Sequence, residues 1–106
     1  MLSLMKKYLD EYREAIQQLC DRFEVERLDL FGSAARGDFN PKSSDLDFLV
    51  LFQRNGAVNA ADRYLGLLAG LEDLFERKID LVDVAAARNP YFMAEARKHR
   101  VMLYAA

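Results

Sequence analysis

The sequence predicts an α/β domain with a mixed sheet of about four strands and flanking helices. Three features predict it: a long helical period at the start, short apolar runs of strand length, and helical segments between those runs. Their order is helix, strand, loop, strand, helix, strand, helix, strand, which indicates a partly parallel and partly antiparallel sheet. Since 106 residues have room for one core, we expect a single domain over residues 1–106.

The first half of the sequence predicts one helix and two strands. Apolar residues at three- and four-residue steps predict an amphipathic helix from about Ser3 to Phe23, with Cys20 on its buried stripe. Strands are expected at Val25–Phe31 and Leu46–Phe52, and the unbroken apolar run of the second is typical of a strand covered on both faces. Residues 32–45 contain glycine, proline and small polar residues and are expected to form a loop, with room for one helical turn after Gly32.

The second half predicts two helices, each followed by a strand. Asn59 is a suitable N-cap for a helix that continues to Phe75, and a strand is expected at Lys78–Val84. A helix that connects two strands favours a parallel crossover between them. The apolar face predicted for this helix consists of Ala61, Tyr64, Leu65, Leu68, Leu71 and Phe75. Asn89 and Pro90 predict the start of a third helix, which ends near Lys98 before a strand at Val101–Tyr104.

Composition and charge limit the classes of partner. Hydrophobic residues make up 52% and charged residues 30%, the balance of an ordinary globular protein. A formal charge of -2 provides no global positive field, so no direct nucleic-acid partner is expected. A single cysteine excludes an internal disulfide, and no apolar segment approaches membrane-spanning length. We therefore expect a cytoplasmic protein without membrane contact.

Three aspartates are the candidate catalytic and metal-binding residues. Asp45 and Asp47 are two residues apart at the start of the central strand, so they are expected to point the same way. Asp80 interrupts the apolar strand that follows the second helix, and a charge in such a place is normally paired or on a metal. Oxygen-only ligation suits Mg²⁺ or Mn²⁺, and three carboxylates can hold two ions across a nucleoside triphosphate. For Asp80 alone, a strand-end position is an equally good interpretation.

A short turn after the first strand is the candidate phosphate site. Gly32 permits a tight turn and a close backbone approach to a ligand, and Ser33 adds a hydroxyl. The lysine of a P-loop does not follow, so a Walker-type site is excluded. Arg36 either contacts phosphates or pairs with an acid such as Asp38. Asp29, in the strand before the turn, is interpreted as a strand-edge residue.

Taken together, these motifs resemble the DNA polymerase β-like nucleotidyltransferase superfamily, and within it the minimal nucleotidyltransferase (MNT) family. The resemblance is carried by Gly32-Ser33, the Asp45-Leu46-Asp47 sequence and the later strand with Asp80, and it covers nearly the whole chain. It implies a minimal polymerase β-like core that transfers AMP from ATP to a hydroxyl. It also implies that Asp45 and Asp47 ligate Mg²⁺, that Asp80 lies near the attacking hydroxyl, and that Gly32 and Ser33 hold the triphosphate.

The resemblance also implies a partner. Many MNT proteins resemble antitoxins that silence a HEPN-domain ribonuclease toxin by adding AMP to one of its tyrosines, so a HEPN partner and a hetero-oligomer are expected. Two alternatives remain open from the sequence. One is a binding module that neutralises its partner by occlusion without catalysis. The other is transfer to a small molecule of the aminoglycoside type, although a chain of this length offers little surface to enclose one.

Overall fold

Four strands and two helices form the part of the chain that the computed structural model describes, namely residues 7, 9–32, 35, 45–86, 93–94, 98 and 100–106. The elements are α1 (Arg13–Arg22), β1 (Val25–Phe31), β2 (Leu46–Phe52), α2 (Ala60–Phe75), β3 (Ile79–Asp83) and β4 (Val101–Ala105). The strand order is β3-β2-β1-β4. β1 pairs antiparallel with β2 and β4, whereas β2 and β3 are parallel. The predicted fold class and the parallel crossover are confirmed.

The helix predicted from Ser3 to Phe23 is not continuous: Lys7, Leu9 and Asp10 have helical backbone, and residues 3–6 and 8 lie outside the described residues. The helical backbone at Asp10 is interrupted by a turn at Glu11 and Tyr12, and α1 begins only at Arg13. The amide of Tyr12 donates to the carbonyl of Leu9, three residues earlier, at 3.0 Å. The centre of the Tyr12 ring lies 4.7 Å from the centre of the Phe75 ring. Packing of Tyr12 against the second helix therefore accompanies a break that periodicity does not reveal.

Helix α2 follows its predicted start but not its whole predicted face. The side chain of Asn59 accepts from the amides of Ala61 at 2.8 Å and Asp62 at 3.4 Å, a cap typically worth about 1 kcal/mol. The interpretation of Leu65 as a buried residue is wrong, because its side chain is 60% exposed. Leu67, which the pattern missed, is fully buried with Leu71 and Phe75. The buried face of α2 is therefore narrower than the predicted face and is rotated about the helix axis relative to it.

The two faces of the sheet differ. Both helices cover one face, where alternate strand residues such as Leu28, Phe48 and Leu81 join α1 and α2 in the main core. Cys20 lies in this core, as predicted, and burial raises the pKa of its thiol to about 12. A second, small cluster on the other face is centred on Phe31 and Leu49 and includes half-buried Val82, Val84 and Met93. That second face is the one toward which the alternating pattern directs Asp47 and Asp80.

The last predicted helix, from Asn89 to about Lys98, lies largely outside the described residues. Met93, Ala94 and Lys98, which are described, have helical backbone. No helix within the described ranges is both long and apolar enough to span a membrane.

Glu24 holds the loop between β2 and α2 at the end of the sheet away from the aspartates. It adopts a left-handed backbone conformation with φ of 58° between α1 and β1. Its carboxylate accepts from the amides of Ala57 at 2.7 Å and Val58 at 2.9 Å, and it lies 3.8 Å from the Arg63 guanidinium. One side chain therefore satisfies two loop amides and neutralises one cation.

We expect Glu24→Ala to lower the free energy of unfolding by about 2 kcal/mol, because two amides and one arginine lose their acceptor. Alanine also carries a β-carbon, so the cost of the positive φ is unchanged and the loss reports the carboxylate. Urea denaturation measures the effect. Glu26→Ala is the matched control, because Glu26 is an exposed residue of β1. An equal loss of unfolding free energy in the two variants would show that the Glu24 carboxylate does not stabilise the loop.

Candidate active site

The strand register brings Asp47 and Asp80 side by side. Asp47 of β2 is the register partner of Asp80 in the parallel strand β3, and neighbouring strands lie about 4.8 Å apart. The amide of Leu46 donates to the carbonyl of Lys78 at 3.3 Å and so aligns the starts of the two strands. Side chains of register partners lie on the same face of a sheet. Two carboxylates, one half-buried and one exposed, therefore share the face that the two helices leave uncovered.

Gly32 lies next to Asp47 on the side of β1. On the antiparallel side, Phe31 is the register partner of Asp47, and Gly32 follows it with a left-handed φ of +73°. A β-carbon placed on Gly32 would lie 2.3 Å from Oδ2 of Asp47 and 3.1 Å from its Cγ. The glycine is therefore required twice, once for its backbone angle and once for the space beside the carboxylate.

Asp45 lies immediately before β2 with an exposed side chain, at the same end of the sheet. Thus all three predicted aspartates are at one end of β2 and β3, although Asp45 is outside the strand itself. Within the described residues, no three Asp, Glu, His or Cys side chains are grouped closely enough to hold a metal ion. Ser33 and Arg36 lie outside the described residues.

Tyr64, predicted only to lie on an apolar helix face, supports the strand that carries Asp80. Its hydroxyl donates to the carbonyl of Leu81 at 2.6 Å and so fixes α2 to β3 next to Asp80. Burial raises the pKa of the Tyr64 hydroxyl, and the nearby carboxylates of Asp80 and Asp83 raise it further. The phenol therefore stays protonated and keeps donating to the strand.

Asp29 is a second residue whose position the sequence analysis did not anticipate. The strand-edge interpretation is wrong, because β1 lies between β2 and β4 and Asp29 is only 3% exposed. It pairs in register with Leu49 and Met102, on the same face as Asp47. The signal that could have found it resembles the one that identified Asp80, a charge between two apolar strand residues, here Leu28 and Leu30.

The sheet and the paired carboxylates beside a glycine turn define a nucleotidyltransferase core. The chain belongs to the family described as the nucleotidyltransferase domain, whose model matches residues 12–103. A curated relative from Methanocaldococcus jannaschii, provisionally named a protein adenylyltransferase, is 33% identical over 90 residues, or 85% of each chain.

Two solved structures share the fold. One, provisionally described as a minimal nucleotidyltransferase, aligns with a TM-score of 0.73 and 29% identity, over 90% of this chain and 92% of that one. The other is a chain from a complex described as a tri-AMPylated HEPN toxin of Shewanella oneidensis with an MNT antitoxin. It aligns with a TM-score of 0.63 and 19% identity, over 92% and 72% of the two chains. The predicted resemblance to minimal nucleotidyltransferases is confirmed.

We expect Gly32→Ala to destabilise the protein by about 2 kcal/mol or more, through the positive φ and the clash with Asp47. The clash component can be isolated by a double-mutant cycle with Asp47→Ala, which removes the carboxylate that the new methyl group meets. In that background the cost of Gly32→Ala should fall toward the backbone cost of about 1 kcal/mol. Chemical denaturation of the four proteins measures it, and an unchanged cost would contradict the close approach.

Proposed function

We propose that this chain transfers AMP from ATP to a tyrosine hydroxyl of a HEPN-domain ribonuclease, depends on Mg²⁺, and acts as the antitoxin of that enzyme. The observation that carries the proposal is the in-register pair Asp47 and Asp80 beside Gly32, in a chain that matches the nucleotidyltransferase family over most of its length. The name of the archaeal relative supports AMP transfer to a protein. The AMPylated toxin in the similar complex supports the choice of a HEPN partner.

The proposed reaction is a single displacement at the α-phosphorus of ATP. The acceptor hydroxyl oxygen forms a bond to that phosphorus, and the bond from phosphorus to the bridging oxygen of pyrophosphate breaks with its electron pair. The hydroxyl proton passes to a carboxylate, for which Asp80 is the candidate because it is exposed on the strand next to Asp47. The Gly32 turn, with Ser33 and Arg36, would bind the triphosphate.

The chemistry of the donors suits a magnesium ion, while their side chains are not gathered around one point in the described structure. Asp45, Asp47 and Asp80 supply only carboxylate oxygens, the ligand type that Mg²⁺ prefers, at one end of two adjacent strands. Gly32 places no side chain in the space beside the Asp47 carboxylate. When bound there, Mg²⁺ would offset the repulsion between the carboxylates and the triphosphate and stabilise the charge of the leaving pyrophosphate. The chain's own part is to hold the carboxylates in register and to accept the proton.

We expect Asp47→Asn and Asp80→Asn each to reduce label transfer by about 100-fold or more, because each removes a carboxylate from the proposed site at nearly constant volume. The melting temperature should stay equal or rise slightly, since adjacent like charges on neighbouring strands are relieved. Transfer from labelled ATP in Mg²⁺ to the HEPN partner measures activity, and a thermal melt measures folding.

The matched control is Asp83→Asn, on the same strand three residues from Asp80. Its carboxylate accepts from the amide of Ala85 at 3.0 Å, and asparagine retains an acceptor oxygen for that contact. This variant should transfer label normally. Near-normal transfer by Asp47→Asn or Asp80→Asn would show that the assigned carboxylates are wrong.

A covalent mechanism also predicts that the HEPN partner stays silenced after the complex dissociates. A HEPN partner incubated with this chain, ATP and Mg²⁺ should remain inactive after the two proteins are separated, and its mass should increase by one or more AMP units. The added phosphodiester persists when the complex dissociates, whereas occlusion ends at the rate of dissociation. Intact-mass spectrometry and a ribonuclease assay on the separated partner measure both. Full activity of an unmodified partner would favour the occluding module.

A further inference from the structure

A buried carboxylate organises two arginines on the face that carries Asp47. The side chain of Asp29 is only 5% exposed, and Nε of Arg27 donates to both of its oxygens, at 3.1 and 3.0 Å. A terminal nitrogen of Arg100 lies 3.8 Å from the same carboxylate. Three charges thus form one unit with a net charge of +1, in a chain whose formal charge is -2.

The two arginines, here called the arginine pair, keep donors for a ligand. Arg27 uses only its Nε within the described part of the chain, so its terminal amino groups make no hydrogen bond there. The side chains of Arg27 and Arg100 are 39% and 36% exposed. A guanidinium held along one edge presents a preorganised fork of N-H donors that suits a carboxylate. Less side-chain entropy is then lost when an anion binds.

The arginine pair lies on the same face as the proposed reacting atoms, at a distance that a short extended peptide can span. Asp29 lies two residues back along β1 from Phe31, the register partner of Asp47, so its backbone is about 7 Å from that of Phe31. Asp80 lies two strands away, which puts its backbone about 12 Å from that of Asp29, the length of about four extended residues. Met102, the other register partner of Asp29, is 57% exposed and adds an apolar contact at the same place.

We propose that the arginine pair binds an acidic segment of the acceptor protein, about four or five residues from the hydroxyl that receives AMP. This inference rests on the proposed function and adds the chemistry by which the acceptor is recognised. Asp29 is a positioning residue in this scheme, because it acts through the arginines that it orients. The acidic occupant follows from the net positive charge of the unit and from the donor geometry of Arg27.

Three synthetic peptides with one tyrosine test the inference on the unaltered protein. They carry glutamate, glutamine or lysine at about four and five residues from the tyrosine. The glutamate peptide should have a KM about tenfold lower than the glutamine peptide and the lysine peptide the highest, with a difference that shrinks as salt is added. Equal KM values for the glutamate and glutamine peptides would overturn the inference.

A binding measurement separates this inference from the proposed function. The same peptides with phenylalanine in place of tyrosine, labelled for fluorescence anisotropy, report recognition without ATP or transfer. Tighter binding of the glutamate peptide supports the arginine pair even when no AMP transfer to any peptide occurs, and that failure would then count against the proposed function alone. Equal binding of all three peptides would overturn the inference whatever the transfer assay shows.

Arg100→Gln assigns the effect to the arginine pair while leaving the bond between Arg27 and Asp29 in place. It should raise the KM of the glutamate peptide about fivefold and leave kcat, the KM of the glutamine peptide and the KM of ATP unchanged. Arg13→Gln is the control, because Arg13 is 70% exposed on α1 and pairs with Asp10 at 2.9 Å. A rise in the KM of ATP alone would assign Arg100 to the nucleotide and overturn the inference; if Arg100→Gln fails to fold, the peptide comparison on the unaltered protein decides.

Discussion

The parallel pairing of β2 with β3 is the constraint on which the rest of the molecule depends. Parallel neighbours cannot be joined by a short turn, so the chain must cross over through α2, and that crossover covers one face of the sheet. The same register that sets Leu81 beside Phe48 in the core sets Asp80 beside Asp47 on the other face. Core packing therefore fixes the spacing of the carboxylates, because a shift of one residue would place apolar side chains in water and charges in the core.

The site depends on the close approach of Gly32 to Asp47 as well as on the pairing of β2 with β3. The backbone leaves β1 through a left-handed residue and passes against the carboxylate, so β1 ends at the site itself. Because Phe31 and Asp47 are register partners, the turn and the carboxylate are placed by the same ladder of hydrogen bonds. The site thus depends on β1, β2 and β3 together.

Much of this arrangement is readable from the sequence, for identifiable reasons. An apolar run of strand length predicted β2, and a charge that interrupts a second apolar run identified Asp80 in β3. The helical segment between them indicated the parallel pairing, and Asn59 marked the start of α2 through its capping chemistry. These signals are local in the chain. The roles of the six predicted site residues in catalysis and in binding metal and nucleotide remain predictions: Gly32, Ser33, Arg36, Asp45, Asp47 and Asp80.

What the sequence did not reveal depends on contacts between distant segments. Whether Asp29 lies at an edge or in the interior depends on β4 pairing with β1, which no local pattern shows. The exposure of Leu65 and burial of Leu67 follow from the rotation of α2 against the sheet, and the break before α1 accompanies the packing of Tyr12 on Phe75. The role of Glu24 similarly depends on a loop more than thirty residues further along the chain.

The hydrogen bond from Tyr64 to Leu81 also limits how the sheet can grow. Among the described strands β3 is an outermost one. Because Lys78 and Val84 bond toward β2, the carbonyl of Leu81 between them faces away from β2. An outward carbonyl of this kind is a template for strand addition by another chain, and here a phenol already occupies it. Another chain that added a strand there would have to displace Tyr64 and would lie directly beside Asp80. A single hydroxyl on α2 thus opposes strand addition, and with it self-association, at this edge of the sheet.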